Sequence, residues 1–366
     1  MRLAIISPFQ FLSLFSNHFI VISSALLPNA ITESAQQDSW IGLLAGYVIG
    51  FLLFWALYAF SLGQADLNQP PASIVGHLAL VLYIFYLLVV LLMTIRLFVL
   101  VVHSYNLPRT PELVLSTILL AVACYAAWYG LESIARISTM IFLTNIVVLF
   151  FLPLPIFQDI AFIHLQPVFA QPLADIGYAA LQSLASCLEV FYLFSLLPAV
   201  RFSHSRRRYR ILFWSTGISM FQITFFFALV FFTFGPFLTA KMVFPSIELL
   251  KYFRLGNYFE RMELAIIVFW TNSVMARLAT LVWICKEETG RLFHLRNKSA
   301  LLVPISLFSA FLPFLLVENV TELLAIYHHM WMFIVPAGIL FFLLSRTKKR
   351  LPSLDNGSDR TGQLKT

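Results

Sequence analysis

Ten stretches of this chain, at about 8–30, 39–62, 76–103, 112–129, 133–155, 174–199, 211–234, 262–285, 300–317 and 323–345, are nearly free of charge. A helix needs about 20 apolar residues to cross the hydrocarbon of a bilayer, and each stretch supplies that length or nearly so. No water-soluble core could bury so much apolar surface. Of 366 residues, 60% are hydrophobic and 11% charged, against about a quarter charged in a soluble domain. The chain therefore reads as an all-α integral membrane protein with ten transmembrane helices and the lipid bilayer as its solvent.

The arginines and lysines set the orientation. With the N-terminus inside, the inner loops receive Arg201, Arg206, Arg207, Arg208, Arg210, Lys286, Arg291, Arg296 and Lys298, and the outer loops only Arg109, Lys241, Lys251, Arg254 and Arg261. That asymmetry places both termini on the cytoplasmic side. The run "RFSHSRRRYR" (201–210) reads as a topology anchor in preference to a nucleic-acid or anionic-lipid patch, and no nucleic-acid partner is expected. The N-terminus, with Arg2 as its basic residue, reads as the start of the first span and not as a removable signal. Residues 1–345 form the expected membrane domain, and 346–366 a polar cytoplasmic tail. Cys124, Cys187 and Cys285 all lie in apolar runs, as small buried hydrophobes. The outer loop 235–263 mixes apolar and charged residues and predicts a short amphipathic helix near Ile247–Phe253, on the membrane surface or capping the bundle. His328 and His329 read as interfacial, and Glu260, Arg261 and Glu263 as local ion pairs shaping an entrance.

Ten helices can divide into two halves of five, at about 8–155 and 174–345. The first helix of each half closes on Leu-Leu-Pro, at Leu26-Leu27-Pro28 and at Leu196-Leu197-Pro198. Proline-interrupted segments at matching places in two halves point to a mid-membrane binding site of the transporter type. Small and hydroxyl residues that admit a close backbone approach stand nearby: Ser23, Ser24 and Ala25 in span 1, and Ser183, Ala185 and Ser186 in span 6. Packing of helix on helix uses the same residue types.

Glu189 is the one charged residue between Leu181 and Pro198. A carboxylate at that depth costs at least about 2.5–3.5 kcal/mol, so it must face the bundle interior and find a partner or a proton. Arg96 in span 3 and Arg277 in span 8 are the two candidate partners.

Three strings carry a wider likeness: "QDSW" (37–40), "YGLESIAR" (129–136) and "FPSIELLKYFRLGNYFERMELAIIVFW" (244–270). Together they resemble the B-subunit family of bacterial spore germinant receptors, within the amino acid–polyamine–organocation transporter superfamily. The resemblance covers the chain from Ser7 to Arg346. It implies a LeuT-like 5+5 inverted repeat with helices 1 and 6 broken, a role in sensing a small germinant such as an amino acid at the spore inner membrane, and partner subunits of A type and of C type, a lipoprotein. It implies no cofactor and no covalent chemistry; there is also no Walker loop, HExxH or GxSxG. Carried onto this chain, the ligand site falls on Val21, Ile22, Ser23, Ser24 and Ala25 of helix 1 and on Ser186, Cys187 and Glu189 of helix 6. The glycines that would open such helices are absent: Val21, Ser23 and Leu188 stand in their places, which predicts milder unwinding or a smaller pocket. Three readings stay open: a receptor subunit, a secondary amino acid transporter of the same fold, and a membrane scaffold with a vestigial pocket.

The orientation is open to direct test. A cysteine introduced at Lys241 should react with impermeant reagent only from outside, and cysteines at Ser205 and Ser358 only from inside. The reverse pattern overturns the helix count.

Overall fold

The computed structural model describes residues 5–62, 73–151, 153–201, 205–251 and 262–346. Among them the chain is mainly helical: α1 (Pro8–Ala35), α2 (Ser39–Leu62), α3 (Ile74–Tyr105), α4 (Glu112–Trp128), α5 (Leu131–Phe151), α6 (Leu173–Leu188), α7 (Ser205–Lys241), α8 (Pro245–Lys251), α9 (Met262–Leu292), α10 (Leu302–Leu316), α11 (Val320–Ala325) and α12 (Trp331–Ser345). Among the described residues, seven stretches are long and apolar enough to cross a membrane, and the first of these, Pro8–Leu57, holds both α1 and most of α2. Large apolar side chains such as Val48, Trp55, Phe85, Met140 and Phe333 face outward, which lipid tolerates and water would not. The protein is a multi-pass membrane protein.

α1 lies at the centre, packed against α5, α6, α7 and α9. Its start is set by Ser7, whose hydroxyl accepts from the Gln10 N–H while Gln10 reaches back to the Ser7 N–H, a reciprocal cap. Helix 1, implied to be broken, is continuous through Val21–Ala25 and beyond, with Pro28 inside it. Helix 6 does change. Its α-helical part ends at Leu188, and Glu189–Ala199 winds on as a 3₁₀ helix. Runs of that winding beyond three or four residues are uncommon, and in mid-helix they mark hinges or strain. The two helices meet again where α1 begins: the Ile6 N–H donates to the Ala199 carbonyl at 2.9 Å, and the Arg201 N–H to the Ile6 carbonyl at 3.0 Å.

The short helix expected near Ile247–Phe253 is α8, and it packs on α1, α7 and α9, with Ile247, Leu249 and Leu250, and Phe244 just before it, buried; positions 252 and 253 lie outside the described residues. So do Glu260 and Arg261, the loop at 63–72 and the tail from 347 onward. Arg346, expected to open the polar tail, is instead buried and ion-paired with Glu288 of α9.

α2 packs on α6 through glycines at every fourth position. A Cβ at Gly42 would lie 2.7 Å from that of Ala179, one at Gly46 would lie 2.7 Å from that of Ser183, and one at Gly50 would lie 2.7 Å from Cys187 Sγ. Without a hydrophobic drive between helices in lipid, such close backbone approach is what joins them. Gly46→Val should therefore lower thermal stability by about 1–3 kcal/mol, the cost of overpacking, read as a lower melting point of the purified protein. Gly177→Ala, in open space, should leave it unchanged.

Candidate functional site

Glu189 and Arg277 lie inside the bundle with no exposure at all. The Arg277 Nη2 donates to Glu189 Oε1. Its Nη1 donates to the His18 carbonyl at 2.7 Å and its Nε to Thr94 Oγ1 at 3.1 Å. One guanidinium thus ties α9 to helix 6, α1 and α3. The planar fork of arginine suits such multiple, charge-assisted bonding. The Tyr192 ring lies 5.9 Å from the guanidinium carbon, and its hydroxyl meets His18 Nδ1 at 2.8 Å. Tyr86 of α3 donates to the Glu189 backbone carbonyl at 3.1 Å, beside the change of winding.

Arg96, the other candidate partner, is engaged elsewhere. It donates to the carbonyls of Val317 and Glu318 and pairs with Glu112 at 2.5 Å, pinning α3 to α4 and to the turn after α10.

The residues expected to bind a ligand are all buried. Ser23 and Ser186 meet through their hydroxyls at 2.6 Å, so the two small-residue stretches do come together. The Val21 carbonyl accepts from Trp270 Nε1 at 3.2 Å, and the Ser24 carbonyl from the Ser246 hydroxyl. His18, Val21 and Ser24 are three residues apart, hence on one side of the helix. Each carbonyl there takes a donor from another element. For Ser24 the cause is covalent: its α-helical partner would be residue 28, and Pro28 has no N–H. Ser246, in the first turn of α8, supplies that missing donor. Ile22 and Ala25 contribute apolar packing. Cys187 faces α2, where its sulfur sits over Gly50, and is not among the residues that meet α1 by a hydrogen bond.

Beside this cluster Asn17 Nδ2 donates to the Ser138 carbonyl at 2.7 Å, and Asn145 Nδ2 to Ser273 Oγ at 2.8 Å and Asn17 Oδ1 at 3.2 Å. Asn17, His18 and Asn145 are not among the residues expected from the sequence. The available signal was the rule applied to Glu189, because any strongly polar side chain deep in an apolar span is costly and needs a reason. Before α12, His328 and His329 lie in a π-helical turn, Ile326–Met330. His328 meets Glu33 at 3.1 Å, and His329 meets the Tyr178 hydroxyl at 2.9 Å. Among the described residues, Glu189 Oε2 and His18 Nε2 are buried without a hydrogen-bond partner.

The fold that carries these residues belongs to a known class. The chain superposes on Mhp1, a nucleobase-cation-symport-1 family transporter with bromovinylhydantoin bound, with a TM-score of 0.63 at 11% identity, covering 89% of this chain and 75% of that one. It superposes on MhsT in complex with L-phenylalanine with a TM-score of 0.61 at 12% identity, covering 93% and 89%. The fold is the LeuT-like fold of secondary transporters.

Residues 5–323 match the family described as "Spore germination protein", and the chain belongs to that family. Relatives include the putative spore germination protein YfkT of Bacillus subtilis (strain 168), 25% identical over 81% of this chain and 83% of the relative. Spore germination protein B2 of the same organism is 25% identical over 78% and 81%.

The central pair makes a sharp stability prediction. Arg277→Met strands a buried carboxylate and should cost on the order of 3–5 kcal/mol, seen as lost abundance and a lower melting point. Adding Glu189→Gln in the same chain should restore most of both. A double variant as unstable as the single one would mean that the pair does not hold the bundle together.

Proposed function

We propose that this chain is a germinant-receptor subunit that binds a small zwitterion, an amino acid, between helices 1 and 6 and passes a conformational change to A-type and C-type partner subunits. It acts in the spore inner membrane with both termini cytoplasmic, and no covalent chemistry is part of the role. The observation that carries this reading is the Glu189–Arg277 pair beside the Ser23–Ser186 contact, with Glu189 Oε2 still unpartnered.

The chemistry follows from charge balance. A zwitterion can enter an ion pair by setting its carboxylate on Arg277 and its ammonium on Glu189, and every buried charge keeps a counter-charge. A ligand of one net charge would leave one member of the pair alone in the membrane interior. The cluster is closed, so entry requires helix 6 to move, and the 3₁₀ segment Glu189–Ala199 is where its winding is already altered. Movement of Glu189 pulls on α1, α3 and α9 at once through Arg277, which gives binding a route to distant surfaces. The likeness of fold to MhsT with its bound L-phenylalanine supports an amino-acid ligand.

Transport of the same ligand is the second reading, favoured by the transporter fold itself. Fold alone does not choose between them.

The test uses the double variant Glu189→Gln/Arg277→Met in spores. Abundance should be near normal on a membrane blot, while the germination dose–response to amino acids shifts by more than tenfold, roughly 1.4 kcal/mol or more. An unchanged dose–response at normal abundance sinks the site. Uptake of labelled amino acid into proteoliposomes holding the wild-type chain would establish the transport reading.

A further inference from the structure

Where α1 and α7 begin, side by side, a cleft of about 410 Å³ opens on the outer surface of the bundle. Phe9 and Leu12 of α1 form one wall, and Ile211, Trp214 and Ile218 of α7 the other. Arg210 stands at its rim and is exposed. Residues 210, 211, 214 and 218 share one face of α7 by their spacing. Among the described residues the Arg210 side chain makes no ion pair or hydrogen bond. Three more arginines, 206–208, precede it in the sequence.

From this geometry we infer that the cleft is a binding site for an anionic phospholipid, with the acyl chain between α1 and α7 and the phosphodiester on Arg210. The walls are apolar and face the hydrocarbon, so what fills them is apolar. Arg210 is the sixth residue of α7, about 7.5 Å along the axis from its start, and Trp214 follows one turn deeper. An arginine above a tryptophan is the order in which a headgroup and the interface beneath it are met. A free anion would use the arginine and leave the apolar cleft unfilled, whereas a lipid uses both. The run at 201–210 thus does more than set topology: Arg210 is held beside a cleft that fits a lipid chain. Because one wall is the first turns of α1, the lipid is seated on the helix that runs on to Ser23 and Ser24.

Trp214 reports on the site directly. The full-length chain is placed in phosphatidylcholine nanodiscs doped with an equal fraction of either brominated phosphatidylglycerol or brominated phosphatidylcholine, and the Trp214 emission is isolated by subtracting a Trp214→Phe variant. The anionic lipid should be preferred at Trp214 by roughly fivefold, the effect of one arginine near an anionic headgroup, about 1 kcal/mol. Arg210→Gln should remove the preference, and Ile218→Phe, which fills the cleft, should lower quenching by both lipids. Equal quenching by the two lipids in the wild type would mean ordinary boundary lipid and overturn the site, as would a preference that survives Arg210→Gln. Displacement by soluble glycerol 3-phosphate would mean that a headgroup alone is held, which also overturns it.

Discussion

A guanidinium buried in the middle of a membrane protein has to be surrounded before the rest can pack. Arg277 is completely enclosed, and its donors go to a carboxylate on helix 6, a carbonyl on α1 and a hydroxyl on α3. In hydrocarbon, attraction between apolar surfaces adds nothing to helix association, so packing and polar bonds decide which helices meet. The charge therefore specifies which faces of four helices point inward. A buried pair is weak evidence for net stability but strong evidence of dependence, because removing one partner leaves the other stranded.

The same economy governs the backbone of helix 1. Its carbonyls at His18, Val21 and Ser24 accept bonds from Arg277, Trp270 and Ser246. Pro28 frees one of these carbonyls by covalent necessity, and the short helix α8 brings the hydroxyl that satisfies it. α1 is further tied to the segment before α8 through Asn29, whose amide donates to the carbonyls of Ala240 and Met242 at 2.9 and 2.8 Å. The segment around α8 is thus bonded to the same helix that carries the candidate ligand site.

Helix 6 is loaded differently on its two halves. Its α-helical half lies against the glycine row of α2, where backbones nearly touch. Its 3₁₀ half lies among large aromatic rings, with Phe191 against Tyr83 and Phe342, and Phe194 against Phe54. The junction between the α-helical half and the 3₁₀ half is Glu189.

Much of this could be read from residues alone. Charge-free stretches of bilayer length require a membrane-spanning helical protein, and a single carboxylate among apolar residues requires an interior partner, because hydrocarbon solvates neither free backbone groups nor free charge. The small residues at Ser23 and Ser186 were legible as a place of close approach. The row Gly42, Gly46, Gly50 emerged only from the structure, although its four-residue spacing stands in the sequence. What the sequence could not decide was choice among equivalents. Arg96 and Arg277 are equally good partners for Glu189 on paper, and only the packing of α3 against α9 sends one to Glu189 and the other to Glu112 and the carbonyls after α10. Nor could it show that Pro28 leaves helix 1 unbroken, since that depends on Ser246, more than two hundred residues away, arriving at the freed carbonyl. Local chemistry states which groups must be satisfied; only the tertiary structure, by bringing distant donors within hydrogen-bond reach, decides which donor satisfies each.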